Sequence, residues 1–216
     1  MKRLRILIAD DHELVRRGLR SALAERREWE ICGEVEDGRE AVKKAREIKP
    51  DLIIMDIAMP ELNGLEATRQ IRRLFPEVEV LILSMHDSEE LVHETLQAGA
   101  RGYVLKNDAG WILVQAVESL SQHRPFLSSR VTSMVIDQYL HPAAARMLDE
   151  GGRLSARERE ILQLIAEGKS SKQVASTLTI SLKTAEAHRS NIMRKLNLHS
   201  ATELVRYAIR NKLIEP

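Results

Sequence analysis

Hydrophobic and polar positions follow two different periods along this chain. Five short apolar runs stand out: LRILIA (4–9), EICGEV (30–35), DLIIMD (51–56), EVLILS (79–84) and GYVLK (102–106). Between them apolar residues return every three or four positions. Val15, Leu19, Ala22 and Leu23 are the first such set, and Leu113, Ala116, Val117 and Leu120 the last. The runs predict strands and the spaced sets predict helices, with those in between over roughly 39–47, 64–75 and 88–98. Leu52, Ile53 and Ile54 do not alternate with polar residues, so that strand is expected to be buried on both faces. Five strand–helix units in succession imply a five-stranded parallel sheet, doubly wound and flavodoxin-like, with helices on both sides.

After Ser121 this rhythm stops. Residues 128–140 predict one more helix. HPAAARMLDEGGR (141–153) mixes Pro, Ala and a Gly-Gly pair and reads as a linker. The remainder carries no strand signal, and helices are expected over about 155–167, 171–178, 182–196 and 201–211. SARE (155–158) and SSKQ (170–173) each place a serine three residues before Glu or Gln, the pattern of a capping box at a helix start. The chain therefore divides into a front unit, 1–121, a partly helical linker, 122–153, and a small all-α unit, 154–216.

Composition narrows the class. The 216 residues are 44% hydrophobic and 30% charged, as expected of a globular protein. No apolar run is long enough for a membrane helix, and the apolar stretch near the start is too short for a signal peptide. The single cysteine, Cys32, leaves no internal disulfide and fits a reducing cytoplasm. Charge is unevenly divided. Residues 154–216 hold 11 Lys and Arg against 6 Asp and Glu, a formal +5, while the preceding residues hold 22 against 26, a formal −4. A basic tail on an acidic front unit hints at nucleic acid.

Polar residues collect where the predicted strands end. Strand one ends in Asp10 and Asp11, strand three in Asp56, strand four in Ser84 and strand five in Lys106. In doubly wound sheets ligands bind beyond these carboxyl ends. Three converging carboxylates repel one another, and a divalent cation with oxygen ligands, Mg²⁺, resolves the repulsion. Lys106 adds a second positive charge and Ser84 a hydroxyl donor. Together these are parts for handling a phosphoryl group, a carboxylate nucleophile included.

In the tail, Ala185, His188, Ile192 and Leu196 share one face of the predicted third helix. Lys183, Ala187, Ser190 and Arg194 lie opposite, with Asn191 beside them. That face is polar, basic and small-sided, suited to a major groove, as the second helix of a helix-turn-helix is; a helical protein-interaction module fits the periodicity as well.

The segments ILIADDH, LIIMDIAMPELNG, VLILS and GARGYVLK resemble the receiver domain of two-component response regulators over essentially all of residues 1–121. Residues 154–214 are similar throughout to the LuxR-type helix-turn-helix of the NarL/FixJ class. The resemblance implies that Asp56 is the phosphoacceptor and that Asp10, Asp11, Asp56 and the backbone carbonyl of Ala58 hold Mg²⁺. It implies that Lys106 and Ser84 bind the phosphoryl oxygens and that Ser84 and Tyr103 form the switch, the aromatic ring following the hydroxyl inward. In the tail it assigns DNA contacts to Lys183, Thr184, Glu186, Ala187, Ser190, Asn191 and Arg194, with Glu186 standing where relatives often carry lysine. Val205, Tyr207 and Ile209 are then expected on a dimer face. The implied partners are a sensor histidine kinase, double-stranded promoter DNA and a second copy of the chain, with no membrane.

Two rival readings share parts of this pattern. An acyl-phosphate hydrolase of the haloacid-dehalogenase type places a second aspartate two residues after its nucleophile, where Ala58 stands here. A phosphorylation-independent DNA-binding regulator would use the front unit for dimerisation alone and would not need Asp10, Asp11, Asp56, Ser84 and Lys106 together.

Overall fold

Each strand of the front unit is built by residues that alternate between two cores. A computed structural model of the chain describes residues 3–108, 110–140, 154–211 and 213–214. The strands are β1 (Leu4–Ala9), β2 (Trp29–Val35), β3 (Leu52–Asp56), β4 (Glu79–Ser84) and β5 (Gly102–Leu105), all parallel, in the order β2-β1-β3-β4-β5 with a sixth at the edge. Leu7, Ala9, Ile53, Met55, Val80, Ile82 and Tyr103 point to one side, against α2 (Gly38–Ile48), α3 (Gly64–Leu74) and α4 (Glu89–Gln97). Ile6, Ile8, Leu52, Ile54, Leu81, Leu83 and Val104 point to the other, against α1 (Glu13–Leu23) and α5 (Gly110–Ser121). With helices on both sides, every residue of β3 is buried. This is why its sequence does not alternate.

The five-strand expectation is corrected to six. Phe126–Leu127 forms β6, pairing with β5 through Gly102↔Phe126 and Tyr103↔Leu127. Two residues carry no periodicity, so their β geometry comes from the edge they meet. Phe126 donates its N–H to the Arg101 carbonyl, and Ser128 donates to that of Tyr103, each at 3.0 Å. A helix, α6 (Ser129–Leu140), follows, and its buried Val131 joins the core against α4. The linker expected over 141–153 lies outside the described residues.

The regular elements among the tail's described residues are four helices: α7 (Ala156–Ala166), α8 (Ser171–Thr177), α9 (Leu182–Lys195) and α10 (Ala201–Arg210). Both expected capping boxes form, Ser155 with Glu158 and Ser170 with Gln173. Ser181 and Ser200 cap α9 and α10 without the reciprocal bond, accepting from the Thr184 and Glu203 amides. The four helices close around Leu154, Ile161, Leu164, Val174, Ala185, Ile192 and Leu204. Between α8 and α9 the chain turns through Thr179 at φ 53°, a left-handed position that ends one helix before the next is capped. No helix among the described residues is long and apolar enough to cross a membrane.

Candidate functional site

The strand order reverses between β1 and β3, and this opens a crevice beyond their carboxyl ends. Asp10, one residue past β1, and Asp56, the last of β3, meet there and are almost wholly buried. Lys106, just past β5, reaches across: its Nζ lies 2.7 Å from Asp56 Oδ2 and 2.8 Å from Asp10 Oδ2. The contact with Asp56 is a hydrogen bond. The approach to Asp10 Oδ2 has ion-pair distance without hydrogen-bond alignment, so this buried oxygen has no donor.

Burial sets the electrostatics. It pushes the Asp56 carboxyl up to about 6; Lys106 opposes the shift and Asp10 adds to it. Burial also works against the Lys106 ammonium, but Asp56 and Asp10 outweigh it and hold that group above its ordinary value. A single buried cation facing two carboxylates leaves the cluster short of positive charge.

Carboxylate oxygens of Asp10, Asp11 and Asp56 and a ring nitrogen of His12 all lie within 4.8 Å of one another. The three carboxylates fit a hard divalent cation such as Mg²⁺, and the undonated oxygen of Asp10 is the atom such an ion would satisfy. His12 was not expected here. Its backbone N–H donates to Asp10 Oδ1 at 2.9 Å and its Nδ1 lies 2.7 Å from Asp11 Oδ1. Imidazole suits softer metals, so His12 orients the acids better than it would hold Mg²⁺.

Ser84, the last residue of β4, is buried, and its Oγ accepts the His86 N–H at 3.0 Å. Tyr103 is fully buried in β5 and donates its hydroxyl to the His86 carbonyl at 2.7 Å. Burial raises the phenol well above its usual range. Both expected switch residues therefore hold the same loop, and Lys106 joins it by donating its N–H to the Ser84 carbonyl at 2.8 Å. Asp108, unexpected from sequence, accepts from Leu105 N–H at 2.9 Å and braces the loop that carries Lys106. Ala58, half-buried, lies two residues beyond Asp56 in the β3–α3 loop.

That loop has a second neighbour, invisible in the sequence. Gln163 of α7 is wholly buried; its Nε2 donates to the Met59 carbonyl at 2.9 Å and its Oε1 accepts from Asn63 N–H at 2.8 Å. Lys169 pairs with Glu61 at 2.5 Å, and Gln70 of α3 donates to Glu160 of α7 at 2.9 Å. The tail thus grips the loop that follows Asp56. Tyr207 of α10, half-buried, feels Glu90 and Glu94 of α4, which add to the upward push that burial gives its phenol.

On α9, Lys183, Thr184, Glu186, Ala187, Ser190 and Arg194 are all exposed on one side. Asn191 is half-buried and accepts from Arg194 at 3.0 Å. Ala185 and Ile192 are buried on the opposite side, where His188 also lies. Among the described residues, none covers this basic face of α9.

Comparison with known proteins gives matches to both units. The profile of the response regulator receiver domain matches residues 6–118, and that of bacterial regulatory proteins of the luxR family matches residues 153–208. The oxygen regulatory protein NreC of Staphylococcus epidermidis is 40% identical over 98% of this chain and all of its own length. The same protein of Staphylococcus aureus is also 40% identical, with 98% and 100% covered. Among solved structures, RcsB of Salmonella enterica serovar Typhimurium, bound to promoter P1flhDC with the phosphomimetic BeF3⁻, is 26% identical. It superposes with a TM-score of 0.62 over 98% of each chain.

Proposed function

Since the chain belongs to the two-component response regulators of the NarL/FixJ class, a DNA-binding transcriptional regulator with a receiver and a LuxR-type helix-turn-helix, we propose that phosphorylation of Asp56 controls its binding to promoter DNA. The supporting observation is the junction at the crevice, where Lys106 stands between Asp10 and Asp56 and three carboxylates converge. Asp10, Asp11, Asp56 and the Ala58 carbonyl would hold Mg²⁺. Bound there, the ion supplies positive charge that neutralises developing phosphoryl oxygens.

This chain's own groups do the rest. Asp56 Oδ attacks the phosphorus of a phosphohistidine on a sensor kinase; the P–N bond breaks as a P–O bond forms, and the imidazole takes up a proton. Lys106, already within reach of Asp56 Oδ2, pairs with the new phosphoryl oxygens. Ser84 turns its hydroxyl from the His86 amide toward them, and Tyr103, bonded to the same loop, repacks with it. The acyl phosphate adds about −1.5 to −2 charge in place of one carboxylate charge, enough to bias a two-state loop. The division proposed is a receiver over 1–121, a linker over 122–153 and a DNA-binding unit over 154–216, acting in the cytoplasm as a homodimer on two-fold symmetric sites.

A selection of bound DNA fragments with and without a small phosphodonor tests this. A symmetric site enriched more strongly with the donor is expected; identical recovery in both arms rules out phosphorylation control. Within that site, Arg194→Ala and Lys183→Ala separate the roles of the two cations. Removing a side chain that touches phosphate weakens binding to all sequences alike and lowers the salt slope by about 1. Removing one that reads a base costs about 1–3 kcal/mol at one position only. Filter binding at several salt concentrations distinguishes them.

The grip of α7 on the β3–α3 loop offers the route from Asp56 to the tail. Gln163→Ala removes both bonds to that loop and leaves the Asn63 N–H and Met59 carbonyl to water. Amide exchange at Asn63 is expected to quicken about 5- to 30-fold, from a loss of about 1–2 kcal/mol. Wild-type protein with phosphodonor should show the same change by exchange mass spectrometry. Unchanged exchange in both would exclude this route.

A further inference from the structure

We propose that Arg16 is a positioning residue for the divalent cation, holding the end of β1 so that Asp10 and Asp11 face the ion. This rests on the proposed metal-dependent phosphorylation of Asp56.

Arg16 lies on α1 with its side chain only 9% exposed. Its Nη1 donates to the backbone carbonyl of Asp10 at 2.7 Å. Its Nη2 donates to Glu36 Oε1 at 2.5 Å, and its Nε stands 3.5 Å from Glu34 Oε2. Glu34 is itself held by Arg20, at 2.6 and 2.5 Å to its two oxygens.

Packing or ion pairing alone would not favour this arrangement. Burying a guanidinium is costly, and Glu36, 67% exposed, offers a partner that water competes for. Arg20 already holds Glu34, so what Arg16 alone supplies is the bond to the exposed Glu36 and the buried one to the Asp10 carbonyl. The backbone N–H of Asp10 is taken by the Val35 carbonyl at 3.1 Å, so Arg16 completes the pinning of that residue on its other side.

The Asp10 carbonyl and the Asp11 amide share one rigid peptide plane. Fixing the carbonyl fixes where the Asp11 Cα stands, and so the point from which its carboxylate reaches toward that of Asp10. Only the guanidinium's planar fork reaches a strand-end carbonyl and two carboxylates at once.

The test uses the full chain and Mn²⁺ alone, with free Mn²⁺ read by electron paramagnetic resonance. Phosphorylation from acetyl phosphate at saturating metal is measured beside it. Arg16→Met should weaken Mn²⁺ binding about 10- to 100-fold, the usual cost of losing a group that orients a metal ligand. Incorporation at saturating metal should stay close to wild type. Arg16→Lys, which keeps one donor, should recover part of the affinity. Glu36→Gln keeps the bond to Asp10 and should leave affinity nearly unchanged.

Metal affinity unchanged in Arg16→Met, with only the thermal midpoint lowered, overturns the proposal and makes Arg16 a strut between α1 and β2. Should Arg16→Met not fold, Glu36→Gln with lost metal affinity overturns it equally, because that variant keeps the bond to Asp10. If wild-type protein binds no Mn²⁺ and takes no phosphoryl group at Asp56, the metal-dependent reading itself has failed, and this proposal with it.

Discussion

Asparagine in place of Asp56 is expected to remove all incorporation from a small phosphodonor, and with it any change in DNA binding when the donor is added. An amide oxygen is not a nucleophile toward phosphorus, and the two neighbouring carboxylates are engaged: Asp10 faces the His12 amide with Oδ1 and the Lys106 ammonium with Oδ2, and Asp11 is turned to the His12 ring. Radiolabel incorporation and a gel-shift titration, each with and without donor, measure the two effects. A variant that still gains DNA affinity with donor present would show that the switch lies elsewhere.

The same substitution reports on the strain of the site. Burial raises the Asp56 carboxyl from 3.8 to about 6, so the folded, metal-free protein binds more protons than the unfolded chain between those values. The ionised form is the disfavoured one. The contribution of Asp56 to stability is therefore lost as pH rises from about 4 to 6 and stays lost above. At about 1.36 kcal/mol per unit the ceiling is about 3 kcal/mol. Part is offset because a neutral amide no longer supports the Lys106 ammonium. Asp56→Asn should stabilise the metal-free protein at pH 8 by about 1–3 kcal/mol and by almost nothing at pH 4. Urea denaturation in a chelating buffer reads both; a loss of stability at pH 8 would mean that the bond to Lys106 outweighs the burial.

Alanine at Gly64 should be the most damaging single methyl in the receiver. A Cβ there would stand 1.8 Å from the Asp56 carbonyl oxygen and 2.8 Å from its carbon. The first turn of α3 lies directly on the backbone of the acceptor residue, tied by a 2.9 Å bond from Gly64 N–H to the Ile57 carbonyl. Both obstructing atoms are backbone, so the loop itself must move. The better helix propensity of alanine, worth about 1 kcal/mol, is small against that movement, and a net loss of about 3–5 kcal/mol is expected. Gly18, mid-way along α1, meets nothing within 4 Å of its Cβ position. Gly18→Ala should therefore gain up to about 1 kcal/mol. If the two variants unfold at the same denaturant concentration, the close approach at Gly64 is absent.

Much of the molecule could be read from the chain alone, for a physical reason that differs by element. The strands were legible because a sheet covered on both faces needs apolar residues at successive positions, as in Leu52–Met55. The tail helices were legible because Ser155 and Ser170 announce their own starts through local bonds. The strand-end polar residues were legible as a set because a parallel sheet brings all its carboxyl ends to one edge. Two-residue β6 was not, since its conformation is imposed by the β5 edge.

What the sequence by itself determined, then, is every feature set by neighbours a few residues apart: period, caps and the side of the sheet on which charges gather. Tertiary structure decided the features that join distant residues. Lys106 came to lie between Asp10 and Asp56, Arg16 closed on the Asp10 carbonyl, and Gln163 reached the loop after Asp56, 104 residues away from Met59. Nothing in the periodicity around Arg16 or Gln163 marks either one, because a polar residue buried by a remote segment has the same local pattern as one left in water. Its role exists only once the chain has closed around it and a carbonyl stands where water would otherwise be.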